Sequence, residues 1–289
     1  MREIKIIQKG DKEYPKKLLK IKDPPKQLYV LGNETLLNKK SIAIIGSRDC
    51  TKYGYEQAKK FAKELAKENV CIVSGMAVGI DSASHIGAKG EIGKTIAVLG
   101  SGFNNIFPEE NEELFYEILE QGGCIITEYA PNIKPEYNNF LSRNRIVSGL
   151  SEGILVVEAR YRSGTSITAR FAKEQGKSIF CIPSNLDATT GVGTGKLIQK
   201  GAKLVLSPTD ILLQLGIEVG KEEGIEEPGV QVDEEYKEVY NVLKQIPINV
   251  NEICKKTKKS IVEVNTTLTM LELEGLVKQV GVNEFVKVR

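Results

Sequence analysis

Five short segments of small residues and arginine hold the side chains best suited to chemistry. They are Gly46-Ser47-Arg48, Ser74-Gly75-Met-Ala-Val-Gly79 with Asp81, Gly100-Ser101-Gly102, Arg143-Asn144-Arg145 and Ser163-Gly164-Thr165. Small residues let backbone N–H groups come close to an anion, and a helix N-terminus adds a favourable dipole. A guanidinium offers a fork of donors that matches phosphate oxygens. Phe140 is an aromatic able to stack on a base, and Lys196, beside Gly193-Thr-Gly195, is a further cation within reach of phosphate. Each feature alone has a structural alternative: a tight turn, an arginine paired with a carboxylate, a core phenylalanine, a solvated lysine. Five such segments in series, two of them with arginines, favour an anionic ligand.

Other chemistries are poorly supplied. The single histidine, His85, sits beside Ala83 and Ala88 in an apolar helical stretch, as a hydrogen-bonded structural histidine would. It weakens any Ser/His/Asp site and most histidine metal sites. The five cysteines (Cys50, Cys71, Cys124, Cys181, Cys254) are scattered and form no CxxC pair, as expected of buried thiols in a reducing cytoplasm. The dinucleotide pattern GxGxxG fails at Asn105 and again at Lys196; the Walker pattern fails at Thr190 and Leu197. No metal and no cofactor is expected.

The elements that must position these segments follow from the periodicity. Apolar runs at Ser41–Gly46, Val70–Val73, Thr95–Leu99, Cys124–Thr127, Gly153–Val157, Ser178–Ile182 and Lys203–Leu206 read as strands. Helical stretches at Tyr55–Lys67, Ile80–Ala88, Glu110–Glu120, Ser166–Glu174, Lys196–Gln199 and Thr209–Leu215 lie between or after them. This alternation predicts an α/β fold: a doubly wound, mainly parallel, extended Rossmann-like sheet over residues 41–217. Ligands of such sheets bind outside the carboxyl ends of the strands, where the small-residue segments fall. Residues 1–40 read as an adaptor packed against the first of these strands, and residues 218–234 as an acidic linker. Residues 235–289 hold three helical stretches and a hairpin around Gly281-Val-Asn283, the order of a small winged-helix domain. Ser260 with Glu263 forms a capping box, and Asp81 is placed to cap its helix.

Net charge is only +2 over 289 residues, but it is unevenly spread. Residues 1–40 carry +6, 41–136 carry −5, 137–203 carry +6, 218–235 carry −7 and 236–289 carry +3. Basic segments of this kind fit either solvated surface or the footprint of a polyanion. No apolar run approaches membrane-spanning length, and the first residues lack the apolar core of a signal peptide, so no membrane association is expected.

The ordered runs Ile42-Ala-Ile-Ile-Gly-Ser-Arg48, Val73-Ser-Gly-Met-Ala-Val-Gly-Ile-Asp-Ser-Ala-Ser-His85, Ala97-Val-Leu-Gly-Ser-Gly102, Phe140-Leu-Ser-Arg-Asn-Arg-Ile146 and Ser163-Gly-Thr165 resemble the DNA-processing protein A (DprA/Smf) family. The resemblance covers about residues 12–289. It implies a cytoplasmic protein, not an enzyme, that binds single-stranded DNA. It also implies protection of incoming strands in natural transformation, loading of the RecA recombinase in homologous recombination, and a homodimer formed through the Rossmann-like domain. Carried onto this chain, it makes Arg48 the first DNA-contact residue, with one of Arg143 and Arg145 facing the ligand. Leu141, where the family often has Pro, and Gly195, where it often has Asn, depart from the pattern. So does Pro108-Glu-Glu110, where some members place a lysine. The extra N-terminal helical module of many members is not seen.

Two other functions compete. The lysine-decarboxylase-like phosphoribohydrolases use a Pro-Gly-Gly-x-Gly-Thr loop and a nearby catalytic Glu. Here the stretch is Arg160-Tyr-Arg-Ser-Gly-Thr165, and no Glu follows before Glu174. A ligand-sensing transcription regulator would want a basic recognition helix, whereas Ser260–Glu274 has three glutamates and no Lys or Arg. Lys255-Lys-Thr-Lys-Lys259 remains available to a duplex backbone, and a protein-binding tail is equally consistent.

Overall fold

The computed structural model describes residues 3–161, 163–185, 187–217, 232–244 and 246–288. The chain forms two compact units divided between Val219 and Gly220.

The first unit is a nine-stranded sheet in the order β1-β2-β6-β5-β4-β3-β7-β8-β9. These strands are β1 (Lys5–Gln8), β2 (Gln27–Gly32), β3 (Ser41–Ile45), β4 (Cys71–Ser74), β5 (Thr95–Val98), β6 (Cys124–Thr127), β7 (Gly153–Val156), β8 (Ser178–Cys181) and β9 (Lys203–Leu204). From β3 to β9 every pairing is parallel, while β2 runs antiparallel to β6 and β1 antiparallel to β2. Strands β3 to β7 are buried throughout, as a parallel sheet covered on both faces requires.

One face is covered by α1 (Lys52–Lys67), α2 (Ile80–Ala88) and α7 (Pro208–Gln214). The other is covered by α4 (Tyr137–Leu150) and α5 (Gly164–Glu174), with partly buried residues of α6 (Val192–Gln199). Helix α3 (Glu112–Glu120) packs against β6.

Two expectations are corrected and one is extended. Residues 1–40 touch β3, where Lys17 Nζ donates to Ser41 Oγ at 2.8 Å, and their strands extend the sheet beyond β6. Ile7, Leu28 and Val30 alternate inward and bury there, so the pairing closes an edge that β6 would otherwise leave open. Arg143-Asn144-Arg145 lies in the middle of α4, not in a loop. Asp81 is not the cap of α2, because Gly79 holds that position with a φ of +81° that favours glycine. Smaller differences are that α6 begins at Val192, four residues before the expected start, and that Glu234, not Glu235, opens the first helix of the second unit.

The second unit contains α8 (Glu234–Val242), β10 (Ile248–Asn249), α9 (Val250–Thr257), α10 (Ile261–Leu273), β11 (Val277–Gly281) and β12 (Glu284–Lys287). Strand β12 lies between β10 and β11, which is the winged-helix arrangement. The capping box of α10 is present: Ser260 N–H donates to Glu263 at 2.8 Å, and Glu263 N–H donates to Ser260 Oγ at 3.3 Å. The expected acidic linker lies largely at 218–231, outside the described residues.

Candidate functional site

The strand order reverses between β3 and β7. Helix α1 leaves β3 toward one face and α5 follows β7 on the other, so a crevice opens at their carboxyl ends. A cleft of about 540 Å³ occupies that position.

Of the expected site residues, Gly46, Ser47, Arg48, Gly75, Phe140, Arg143, Asn144, Ser163, Gly164 and Thr165 line this cleft, while Ser74, Gly100, Ser101, Gly102, Arg145 and Lys196 do not.

The loop after β3 is fixed from below. Ser47 N–H donates to Glu158 O at 2.9 Å, and a Cβ at Gly46 would stand 2.5 Å from Ile80. The buried Glu158 carboxylate accepts from Thr51 N–H at 2.9 Å and Thr51 Oγ at 2.5 Å, and Thr51 caps α1. The loop is thereby held rigid while the Arg48 side chain projects into solvent. That guanidinium has no hydrogen-bond or ion-pair partner among the described residues.

Arg143 has the opposite surroundings. It is buried, and its Nη1 donates to the backbone carbonyls of Gly75 and Val98, tying the ends of β4 and β5 to α4. Its pKa is lowered to about 10, chiefly by burial; Asp81 opposes this, and the nearby Arg48 charge adds to it. Asp81 braces the loop after β4, accepting from Gly75 N–H at 3.1 Å and Ala77 N–H at 3.4 Å, and burial raises its pKa against the pull of Arg143. Arg145 points away from the cleft and forms a two-pronged ion pair with Glu128 at 2.6 and 2.7 Å.

The small residues outside the cleft have packing roles. Ser74 Oγ donates to Ile44 O at 2.7 Å and Ser101 Oγ to Asn105 O at 2.8 Å. A Cβ at Gly100 would meet the Phe140 ring at 2.6 Å, and one at Gly102 would meet Ala130 O at 2.1 Å. His85 is buried, as its apolar neighbours led us to expect. Thr95 Oγ1 donates to Ile72 O, so His85 Nδ1 carries the proton it shares with Thr95 at 2.7 Å.

At the other wall, the first turn of α5 opens onto the cleft. Ser163 precedes it, and its Oγ is shielded from solvent yet has no hydrogen-bond partner among the described residues. A Cβ at Gly164 would meet nothing within 4 Å, so space lies beside that turn, in which Ser166 N–H is bonded to Ser163 O at 2.9 Å while the N–H groups of Gly164 and Thr165 have no acceptor among the described residues. Sequence reasoning missed Arg160, Phe107 and Tyr137, which also line the cleft. Arg160 pairs with Asp49, both exposed. Phe107 and Phe140 lie 5.5 Å apart between ring centroids, and Tyr137 is 75% exposed. The position of Arg160 just beyond β7 was a usable signal; the pairing of Phe107, in the loop after β5, with Phe140 on α4 joins residues far apart in sequence and gave none.

The cleft therefore combines an exposed unpaired guanidinium, an open helix N-terminus, an unsatisfied hydroxyl and aromatic faces. Phosphate and base are the chemical groups such a set can hold. Among the described residues no cluster of His, Cys, Asp or Glu side chains is placed to hold a metal ion, and no helix is long and apolar enough to cross a membrane.

Comparison with known proteins agrees with this chemistry. Residues 5–216 match the family described as DNA recombination-mediator protein A, and residues 226–281 match the DprA winged helix domain. The chain is 41% identical over 213 residues to DNA processing protein DprA of Bacillus subtilis, covering 73% of this chain and 71% of that protein. It is 42% identical over 214 residues to Protein Smf of Escherichia coli, covering 73% of this chain and 57% of that protein. Among solved structures, it resembles DprA of Streptococcus pneumoniae with TM-score 0.70 and 38% identity, over 75% of this chain and 76% of that one. It also resembles DprA of Helicobacter pylori, described for its single-stranded DNA binding mode, with TM-score 0.67 and 33% identity over 74% of this chain and 98% of that one.

Proposed function

Because the chain belongs to the DNA recombination-mediator protein A family, we propose that its switch-point cleft holds the sugar-phosphate backbone of single-stranded DNA. The observation that carries this is the pairing, in one cleft, of the unpartnered Arg48 guanidinium with the open first turn of α5 and its unsatisfied Ser163 hydroxyl. Phosphates meet donors on both walls, while Phe107, Tyr137 and Phe140 offer faces on which unpaired bases stack without regard to sequence. The likeness to the Helicobacter pylori protein supports the same ligand.

Further along the same line, the held strand is protected and handed to the RecA recombinase in natural transformation or homologous recombination. The chain acts in the cytoplasm as a homodimer formed through its Rossmann-like unit, and two clefts per particle raise avidity. It works as a mediator without catalysis. In support, Asp81 and Glu158 are committed to backbone and capping bonds, His85 is buried, and Glu174 stands at the far end of α5.

Competition binding tests the ligand. A labelled single strand of about 25 nucleotides should be displaced by unlabelled single strand and resist a duplex of the same length; equal displacement by duplex overturns the proposal. The RecA step is tested by the lag before RecA hydrolyses ATP on strands coated with single-strand-binding protein. The lag should shorten when this protein is added, and an unchanged lag rejects a loading role.

A further inference from the structure

Two carboxylates line the switch-point cleft, Asp49 and Asp81. Asp81 is committed to the backbone N–H groups of Gly75 and Ala77. Asp49 is not. Its carboxylate meets only the guanidinium of Arg160, Nη2 to Oδ2, among the described residues, and Arg160 has no other partner among them. A carboxylate at the mouth of a cleft suited to anions opposes the ligand unless its charge is put to use.

The sheet makes the two residues counterparts. Strands β3 and β7 are adjacent and parallel, with Ile45 paired to Val156. Asp49 stands four residues beyond Ile45, and Arg160 four residues beyond Val156. The pair therefore bridges the two rims of the crevice, with Arg48 next to it in the chain.

Glu158 fixes the backbone on both rims. Its carbonyl accepts from Ser47 N–H at 2.9 Å and its carboxylate from Thr51 N–H at 2.9 Å. Asp49 lies midway between these anchors, and its carbonyl accepts from Ser47 Oγ at 3.0 Å. On the other rim, Ala159 N–H donates to Thr190 O at 2.7 Å and Ala159 O accepts from Gly193 N–H at 2.7 Å. These bonds already join the loop after β3 to the segment after β7, so the ion pair is not needed as a staple. Its side chains are 55% and 82% exposed, and a pair so exposed is worth roughly threefold in an equilibrium constant. Side-chain rotation alone opens it. A phosphodiester is the stronger partner for a guanidinium fork, because its binding also releases condensed counterions.

We propose that Asp49 and Arg160 form an exchangeable clasp across the cleft mouth. A backbone phosphate of the bound strand takes the guanidinium from Asp49, and Asp49 reclaims it as the strand leaves. Arg160 is then a second strand-binding guanidinium beside Arg48, and Asp49 is a built-in limit on affinity. This rests on the cleft being the site of the strand. A protein that hands its strand on gains from such a limit, since the returning pair offsets part of the lost contact.

A double-mutant cycle tests the exchange. Wild type, Asp49→Asn, Arg160→Gln and the double variant are compared for binding of a labelled oligothymidylate of about 25 nucleotides, by anisotropy over a salt series, with Arg48→Ala alongside. Asp49→Asn should bind at least about threefold more tightly and, chased with unlabelled strand, release more slowly. Arg160→Gln should bind more weakly, with a salt slope smaller by about 0.7. Because the pair exists in the free protein and is broken in the complex, the gain from Asp49→Asn should be about threefold larger in the wild-type background than in the Arg160→Gln background. Melting temperatures should stay within about one degree of wild type. Equal gains in the two backgrounds overturn the exchange and leave Asp49 acting through its charge alone. An unchanged slope in Arg160→Gln overturns the phosphate contact, and a clearly lowered melting temperature in Asp49→Asn makes the pair a staple instead. If Arg48→Ala binds as wild type does, the strand does not lie in the cleft and the clasp falls with that reading. A weakened Arg48→Ala together with equal gains removes the clasp alone.

Discussion

Arg145 on α4 grips Glu128 through both ends of its guanidinium, Nη1 to Oε1 at 2.6 Å and Nη2 to Oε2 at 2.7 Å, while its Nε donates to Asp23 O at 2.9 Å. The pair ties the amino-terminal segment and the end of β6 to α4, and both side chains are less than a fifth exposed. Arg145→Ala would leave a shielded carboxylate without its counter-charge, at a cost of about 2 kcal/mol. Thermal unfolding should fall by several degrees, while affinity for a single strand, measured at a temperature where the variant is folded, should stay within twofold of wild type. A large loss of affinity with unchanged melting would instead make Arg145 a ligand residue.

Acid should loosen the fold through His85. Burial lowers its pKa from 6.5 to about 3, with the Arg143 charge acting in the same direction. The unfolded imidazole takes up its proton below about pH 6.5, whereas the folded one stays neutral until about pH 3. The stability held by the neutral form is therefore intact above pH 6.5 and is lost as pH falls toward 3. Each pH unit in that window costs about 1.4 kcal/mol, so the loss at pH 5 is about 2 kcal/mol. Urea unfolding at pH 7 and pH 5 measures it, and His85→Gln should remove most of the difference. A His85→Gln protein with the wild-type pH slope would assign the acid sensitivity to other groups.

Two glycines beside the cleft should behave in opposite ways. A Cβ at Gly75 would lie 2.8 Å from the Arg143 guanidinium and the Asp81 carboxylate, whereas one at Gly164 meets open space within its helix turn. Gly75→Ala should cost about 2 kcal/mol by displacing the buried bracket. Gly164→Ala should raise stability by about 0.5 kcal/mol, because alanine loses less backbone entropy in a helix. It should weaken single-strand binding, since its methyl group would stand where the phosphate approaches the first turn of α5. Chemical denaturation of the pair, with anisotropy on Gly164→Ala, checks both; stronger binding by Gly164→Ala would remove that turn from the ligand site.

The parallel core was legible because β3, β4, β5, β6 and β7 are buried on both faces and so read as continuous apolar runs ended by small residues. Helix α4 was not. Its sequence, with Asn138, Asn139, Ser142, Asn144, Ser148 and Gly149, has weak helix propensity, and packing sets its conformation. A Cβ at Gly149 would lie 2.8 Å from Leu18, so the glycine is there to admit the amino-terminal segment. Strand β1 was hidden because only Ile7 of its four residues turns inward. Within the site, residue type alone could not separate Arg48 from Arg143 and Arg145. Their roles depend on whether carbonyls and carboxylates already surround the guanidinium, which only the fold reveals.

The central claim is that Arg48 is the cleft's free cation for a single-stranded backbone. It is tested most directly by fluorescence anisotropy of a labelled strand of about 25 nucleotides across a salt series, comparing wild type with Arg48→Ala. Wild type should bind with strongly salt-dependent affinity. Arg48→Ala should bind at least tenfold more weakly, with a salt slope smaller by about 0.7 and unchanged thermal stability. Equal affinity and equal slope for the two proteins would contradict the account.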